Sequence, residues 1–271
     1  MTNLKMFCIT LNDSHLEKIN KLNYSAVGLG ESIISSKFLR DNSGVNISEK
    51  NSNYGEYTFH YWLWKNGFKN LENKWIGFCQ YRKFWSTKKI NNSIHDLENL
   101  KQVILKDVPE NIKEFESILG EPLYINGFKP IKFLKKNFSK MIKKPSLLFN
   151  KYQRNISFHF DLMHGDGNLK RAINLLGKED KNDFLEFVNT EVSFNPHNMF
   201  ICKSKEILFD YYETIFPWLE KCEKEFGFNL EGYGLKRIYG FLAERFMSYW
   251  FKKNTKFTTL PIIFSDITKL D

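Results

Sequence analysis

The sequence predicts an α/β domain with a mostly parallel sheet flanked by helices. Short apolar runs at 5–11 and 75–81 are bounded by polar turns, as buried strands are. Between and after them, apolar residues recur with helical spacing, and strands that alternate with helices favour a parallel sheet. With 271 residues, 42% of them hydrophobic, and neither an internal repeat nor a low-complexity linker, we expect one domain over residues 1–271.

The clearest helix between the two strands is predicted at 54–66. Asn53 would be its N-cap, Glu56 lies in its first turn, and Gly67 would be its C-terminal stop. The remaining elements are predicted in the same way, from apolar spacing and turn residues. They are helices at 94–119 (with a second start at Pro109), 168–176, 180–189, 204–225 and 231–253, and strands at 124–125, 198–202 and 261–264.

The net charge of +9 is concentrated in one basic segment, residues 128–154. That segment has nine basic residues and no acidic one, and over 131–144 its apolar residues have the spacing of an amphipathic helix. One interpretation is an insertion that faces an anionic membrane surface or the acceptor. The other is a surface helix packed on the sheet by the same apolar stripe.

The chain shows no sign of membrane insertion or disulfide bonding. No apolar run approaches the length of about 20 residues that a membrane span needs, and 6–11 is too short for a signal-peptide core. The four cysteines, none in a C-x-x-C pair, indicate buried reduced thiols. We expect a cytoplasmic protein, peripheral on the inner face of the cytoplasmic membrane if the basic segment binds lipid.

Four stretches could carry chemistry. In the first, at 195–200, His197 and Asn198 could hydrogen-bond a ligand or could only form the turn that enters a strand. Arg82 follows the apolar strand at 75–81, where it could meet an anion such as a diphosphate, or could simply be solvated with Lys83. Glu244 and Arg245 form either a structural ion pair inside an apolar helix or part of a cleft. A loose acidic cluster could bind a divalent metal or could be a turn: Asp161, His164 and Asp166.

Six motifs occur in order along the chain, within 5–85 and 150–253. They are V-G-L-G at 27–30, the Asn- and Ser-rich stretch at 41–58, Y-W-L-W-K-N at 61–66, G-F-C-Q-Y-R-K-F at 77–84, N-M-F-I at 198–201 and Y-G-F-L-A-E-R at 239–245. Together they resemble a bacterial family from capsule, exopolysaccharide and O-antigen gene clusters. That family, long classed as a domain of unknown function, is assigned as glycosyltransferases with a GT-A-like, Rossmann-like fold.

The chain departs from the family pattern at four positions. Val45 replaces an Asp, Gly55 a Cys, Gln80 a His and Lys83 an Arg. If that Asp or His acts in catalysis or metal binding, the activity or the donor of this protein differs.

The resemblance implies transfer of a sugar from a nucleotide-sugar donor, UDP-linked by preference, to a lipid-linked oligosaccharide or growing surface glycan. Arg82 would hold the diphosphate in place of a metal-binding D-x-D motif, and Glu244 or Glu56 would be the base. Donor-binding residues would be Gly28, Lys50, Asn51, Tyr54, Lys65, Tyr81, Asn198 and Arg245. If a metal is used, Mn or Mg would bind the Asp161–Asp166 cluster.

Two other classes of protein compete with this interpretation. A nucleic-acid-binding protein would explain the lysines and aromatics, but it would need basic residues interleaved with aromatics on one face, and these lysines lie in one segment. No nucleic-acid partner is therefore expected. A non-catalytic carbohydrate-binding protein would explain the aromatics but not the charged motifs at strand and helix ends.

Overall fold

The computed structural model describes residues 3–30, 38–71, 74–90, 94–127 and 150–270. Its strands are β1 (Leu4–Thr10), β2 (Ser25–Gly28), β3 (Leu39–Arg40), β4 (Trp75–Gln80), β5 (Lys83–Trp85), β6 (Ser117–Gly120), β7 (Leu123–Tyr124), β8 (Ser193–Phe194), β9 (Phe200–Cys202), β10 (Phe257–Leu260) and β11 (Ile262–Phe264). The main sheet has the order β10-β6-β9-β4-β1-β2-β3. Only β9 runs against its neighbours along this path. The predicted α/β class with a mostly parallel sheet is confirmed.

Two short additions extend the sheet. Strand β5 pairs antiparallel with the end of β4, and β11 pairs antiparallel with β5. Strands β7 and β8 form a separate two-stranded ribbon. The β5–β11 ribbon therefore lies beside the carboxyl end of β4.

The helices are α1 (Leu16–Lys21), α2 (Asn51–Tyr54), α3 (Tyr57–Trp62), α4 (Leu97–Val103), α5 (Ile156–His164), α6 (Asn168–Ile173), α7 (Lys178–Thr190), α8 (Lys205–Phe226), α9 (Tyr233–Lys236) and α10 (Ile238–Asn254). Both faces of the sheet are covered. Along β1, Phe7 and Ile9 pack into one apolar cluster with α3, α8 and α10, while Met6 and Cys8 pack into a second cluster on the opposite face. Burial on both faces explains why the strands are continuous apolar runs.

The predicted helix at 54–66 is wrong as a single element. The chain forms α2, breaks at Gly55 with φ +60°, resumes as α3 and ends in a π-helical turn over Leu63–Gly67. A Cβ on Gly55 would lie 2.4 Å from the guanidinium of Arg237, so this position needs glycine for space as well as for its φ. Asn53 is therefore not an N-cap; its amide donates to the carbonyl of Lys236.

The prediction for 94–119 is also only partly right. Helix α4 ends at Val103, a single 3₁₀ turn over Glu110–Ile112 follows Pro109, and residues 117–120 are strand β6. Helices predicted at 180–189 and 204–225 are confirmed as α7 and α8, and the strand at 261–264 as β11. The helix predicted at 231–253 is divided into α9 and α10.

Three further predictions concern the surface and the thiols. The helix at 131–144 lies outside the described residues. Within the part of the chain that the structure describes, no helix is long and apolar enough to cross a membrane. The four cysteines are free and buried, as predicted.

Candidate functional site

A cleft of about 480 Å³ lies at the carboxyl ends of the parallel strands. Its floor is built from the ends of three neighbouring strands: Thr10 closes β1, Leu29 follows β2, and the 80–83 turn follows β4. Its opposite wall comes from α2, Glu56 and α9. Ligands of open α/β sheets bind outside this edge, and here Ile9, Leu11 and Leu29 line it together with polar and charged residues.

A smaller pocket of about 170 Å³ adjoins the cleft. Five residues line both spaces: Glu56, Gln80, Lys83, Tyr233 and Arg237. We call the larger space the outer cleft and the smaller one the inner pocket. The inner pocket is completed by the turn before β9 and by the first turns of α10, including Glu244.

Glu56 joins three parts of the chain. Its Oε1 accepts a 2.7 Å hydrogen bond from the side-chain amide of Asn198, and its Oε2 lies 3.8 Å from the guanidinium of Arg237. Arg237 also donates from Nη1 to the hydroxyl of Tyr233 at 3.2 Å. The carboxylate thus holds the arginine against the wall shared by the two spaces.

Glu244 is the second carboxylate of the inner pocket. Its Oε1 accepts the backbone N–H of His197 at 2.5 Å, and its Oε2 is ion-paired with Arg245. The Glu244 side chain is 13% exposed and that of Arg245 2%. Burial raises the pKa of Glu244, although Arg245 and the His197 N–H act in the opposite direction.

Lys83 lies beside both carboxylates. Its Nζ donates to Oε1 of Gln80 at 3.2 Å, while Nε2 of Gln80 donates to the carbonyl of His197 at 3.0 Å. Burial lowers the pKa of Lys83, and the negative charges of Glu56 and Glu244 partly offset that effect. The inner pocket therefore contains two carboxylates and a partly desolvated ammonium group.

The turn before β9 is held in an uncommon backbone conformation. His197 has φ +78° and Asn198 φ +53°, the left-handed region that costs energy for residues other than glycine. Burial, with a smaller contribution from Lys83, lowers the pKa of His197 to about 4, so this imidazole is neutral near pH 7. The turn presents one N–H to Glu244 and the Asn198 amide to Glu56.

Arg82 lines the outer cleft at its rim. Its side chain is 58% exposed, and its guanidinium forms a 3.0 Å ion pair with Asp266 and lies 4.7 Å from the centre of the Tyr81 ring. The backbone of 81–82 is fixed by the C-terminal segment, since Ser265 donates to the Arg82 carbonyl and Ile267 to the Tyr81 carbonyl. Arg82 and Tyr81 thus lie at the mouth of the cleft, and their contact with a donor stays a prediction.

Four of the predicted donor ligands lie elsewhere. Lys50 is ion-paired with Glu223 of α8 at 2.9 Å in a separate pocket. Tyr54 is buried and stacks on Tyr239, and the ammonium of Lys65 lies 3.2 Å from the centre of the Trp64 ring. Arg245 is directed into the protein, 4.1 Å from the centre of the Phe194 ring. None of the four lines either space, although Arg245 is ion-paired with Glu244 of the inner pocket.

Two other predicted donor-binding residues, Gly28 and Asn51, lie at or next to the outer cleft. Gly28 ends β2 opposite Thr10 and is followed by Leu29, which lines the outer cleft. Asn51 lines the same cleft, and its amide donates to the Gly55 carbonyl at 2.9 Å and to the Thr58 hydroxyl at 3.2 Å. Its amide is therefore engaged in fixing the Gly55 break.

The predicted metal ligands Asp161, His164 and Asp166 lie in a helix and the turn that follows it. Asp161 accepts the N–H of Gly167 at 3.1 Å, in the turn that also contains Asp166. His164 is buried, with Nδ1 3.0 Å from the Gly234 carbonyl, and burial lowers its pKa to about 3. Among the described residues, no group of three or more His, Cys, Asp or Glu side chains is arranged to hold a metal ion. Binding of Mn or Mg by Asp161, His164 and Asp166 therefore stays a prediction.

Sequence reasoning missed Tyr233 and Arg237 and underrated Lys83. Tyr233 and Arg237 precede the motif at 239–245 by a few residues. The available signal in the sequence was an arginine close to a charged motif. The position of Arg237 could not be predicted from the spacing of residues in the sequence. It depends on Gly55, 182 residues away, which leaves room for the guanidinium.

Comparison with known proteins places this geometry in context. A family model described as a domain of unknown function, DUF4422, matches residues 5–255. A solved structure described as the WbbM bifunctional glycosyltransferase in its apo form is similar with a TM-score of 0.68 at 20% identity. The similarity covers 97% of this chain but 45% of that one, so this chain spans less than half of the length of that protein. No curated protein matches. The shared fold agrees with the GT-A-like architecture expected from the motifs.

Proposed function

Since this chain belongs to the DUF4422 family, we propose that it is a glycosyltransferase that moves a sugar from a nucleotide-sugar donor to a glycan hydroxyl. The fold it shares with a known glycosyltransferase supports the class of enzyme. The observation that carries the proposal is the junction between the outer cleft and the inner pocket, where cations and carboxylates converge.

The outer cleft suits the nucleoside diphosphate part of the donor. Arg82, Lys83 and Arg237 line it, and guanidinium and ammonium groups form charge-assisted hydrogen bonds to phosphate oxygens. When the bond between the sugar and the diphosphate breaks, negative charge grows on the leaving oxygen. Cations already fixed at that point stabilise the departing group without reorganising. The described residues supply these cations without a metal.

The inner pocket suits the acceptor hydroxyl and its base. Glu244 is proposed as the base because it lines this pocket and because burial raises its pKa, which makes it a stronger proton acceptor. Arg245 and the His197 N–H fix the carboxylate in place. Glu56 is proposed to hold Arg237 toward the diphosphate. The acceptor oxygen would bond to the anomeric carbon as its proton passes to Glu244 and the nucleoside diphosphate leaves.

The finer parts of the proposal come from the motif resemblance. The donor is proposed to be UDP-linked, and the acceptor a lipid-linked oligosaccharide or growing capsular or O-antigen glycan. The basic segment 128–154 would hold the enzyme at the inner face of the cytoplasmic membrane.

The test is binding followed by turnover. Calorimetric titration with UDP, GDP and CMP should give binding that Arg237→Ala weakens and that Lys181→Ala, on α7, leaves unchanged. A donor screen that measures release of nucleoside diphosphate should then depend on added lipid-linked acceptor extract. Absence of nucleotide binding in a folded protein would contradict the proposal.

A further inference from the structure

Two exposed aromatic side chains flank the inner pocket. Tyr233 on α9 is 70% exposed and Phe264 at the end of β11 is 68% exposed. Single exposed hydrophobic side chains are common on protein surfaces, so these two are distinguished by their position beside the inner pocket and not by their exposure. Tyr233 borders both spaces, so its position alone does not say which part of a substrate it would meet.

The position of Phe264 is more specific. In the antiparallel β5–β11 pair, Phe264 lies directly opposite Lys83. Residues directly opposite in such a pair project from the same face of the sheet, so Phe264 projects on the side from which Lys83 enters the inner pocket. Its ring lies 5.3 Å from that of His197, nearly perpendicular to it, and His197 lines the inner pocket.

Phe264 is also on the acceptor side of the proposed reaction. Phe264 lines neither space itself, but its ring contacts His197, which lines the inner pocket and not the outer cleft. The carboxylate of Glu244 is fixed by the backbone of His197, the residue whose ring Phe264 touches. A sugar ring on Phe264 would therefore have its hydroxyls next to the proposed base.

We infer that Phe264 is a stacking platform for a pyranose ring of the acceptor glycan, placed so that one hydroxyl of that ring reaches Glu244. This inference extends the proposed function and depends on it, because the bound glycan is an acceptor only if the protein is a transferase. The apolar C–H face of a pyranose suits the exposed face of a phenyl ring, and the hydroxyls at its edge suit the carboxylates and amide of the inner pocket.

The experiment measures saccharide binding and turnover separately. Saturation-transfer NMR on the full chain would use the methyl glycosides of glucose, galactose and N-acetylglucosamine as probes. An aromatic stacking contact contributes about 0.5–1.5 kcal/mol, so Phe264→Ala should weaken binding of the responding glycoside by about twofold to tenfold. Phe264→Trp should restore it. The control is Phe209→Ala, a 42% exposed phenylalanine that packs on Phe68.

In turnover, the Phe264→Ala enzyme should show a raised KM for the acceptor extract and an unchanged KM for the donor. The inference is overturned if the wild type binds none of the glycosides, if Phe264→Ala binds them as well as the wild type does, or if the donor KM rises instead. Saccharide binding that depends on Phe264 in a protein that binds no nucleotide would leave the platform standing and refute the transferase proposal. The two can thus fail independently.

Discussion

Asn198 donates its side-chain amide to Glu56 at 2.7 Å and to the Gly240 carbonyl at 3.1 Å, and so ties the turn before β9 to the start of α3 and to α10. The arrangement has a cost, because Asn198 has a positive φ and its Oδ1 is buried with no hydrogen-bond partner among the described residues. Such costs are found where geometry serves a function. Here the geometry sets the position of Glu56, and through it that of Arg237.

We expect Asn198→Ala to slow sugar transfer and to lower the free energy of unfolding by about 1–3 kcal/mol, since it leaves buried hydrogen-bonding groups without a partner. Transfer rates and urea denaturation would be measured on the same preparation. Asn254→Ala is the control, because that exposed side chain also bonds a carbonyl, that of Trp250, but at the end of α10. Normal transfer by Asn198→Ala would mean that Glu56 does not need this contact.

A second prediction concerns the cations of the outer cleft. From the sequence, Arg82→Ala is expected to cost far more than Lys83→Ala. In the structure Lys83 is more buried than Arg82 and lies beside both carboxylates, so we expect the two substitutions to have similar effects. Each should slow transfer by about tenfold to a hundredfold, since a hydrogen bond to a charged group contributes about 1.5–3 kcal/mol.

The control for these variants is Lys89→Ala, which removes an exposed ion pair with Glu121. Steady-state kinetics against the donor would be measured with circular dichroism to verify folding. Wild-type rates for both Arg82→Ala and Lys83→Ala would show that neither charge acts on the leaving diphosphate.

A third prediction is a bell-shaped pH dependence of kcat. The proposed base Glu244 must be ionised, and because burial raises its pKa, activity should fall with decreasing pH at a higher pH than an ordinary glutamate would give. Lys83 must be protonated to stabilise the diphosphate, and because burial lowers its pKa, activity should fall with increasing pH earlier than an ordinary lysine would give.

The two limbs can be assigned by substitution. Lys83→Arg should move the alkaline limb to higher pH, since arginine stays protonated. Glu244→Gln should abolish the acid limb together with most of the rate. An acid limb that survives in the residual activity of Glu244→Gln would point to Glu56 as the base.

Much of the fold was predictable, and the failures have a common physical cause. Helices α7 and α8 have helical spacing of their buried apolar residues, and α8 also has Ser204 as its N-cap, so local reasoning found them. Strand β6 was read as helix because its state is set by pairing with β9 and β10, which are distant in sequence. The break at Gly55 likewise depends on Arg237, which no local pattern around 54–66 contains.

In the candidate site, too, features set by local sequence were predictable and those set by distant contacts were not. Glu56 and Arg82 lie at the ends of recognisable elements and Glu244 lies within α10, and the structure brings all three to one edge of the sheet. Lys50 and Lys65 belong to the same motifs, yet Lys50 is drawn to Glu223 and Lys65 to Trp64. Motif membership does not reveal which way a side chain points.

A fourth prediction is that transfer persists after treatment with EDTA. The reason is the set of cations at the outer cleft, which can neutralise the leaving diphosphate in place of a divalent metal. Release of nucleoside diphosphate would be measured before and after chelation, with a manganese-dependent transferase treated in parallel. Complete loss that added manganese reverses would mean that a metal ligand has been overlooked.

The last prediction concerns the basic segment 128–154, most of which lies outside the described residues. Its lysines are accompanied by an apolar stripe and no acidic residue, a composition that suits an interfacial helix, where each lysine near an anionic surface adds about 1 kcal/mol. In liposome co-sedimentation, we expect binding that requires anionic lipid and weakens as salt rises, because exposed charges are screened. Binding should drop when Lys135, Lys136, Lys143 and Lys144 are changed to Gln. The matched control changes the same number of lysines on α7 and α8: Lys178, Lys181, Lys221 and Lys224. If the wild type ignores anionic liposomes at low salt, the apolar stripe is better explained as packing against the protein itself.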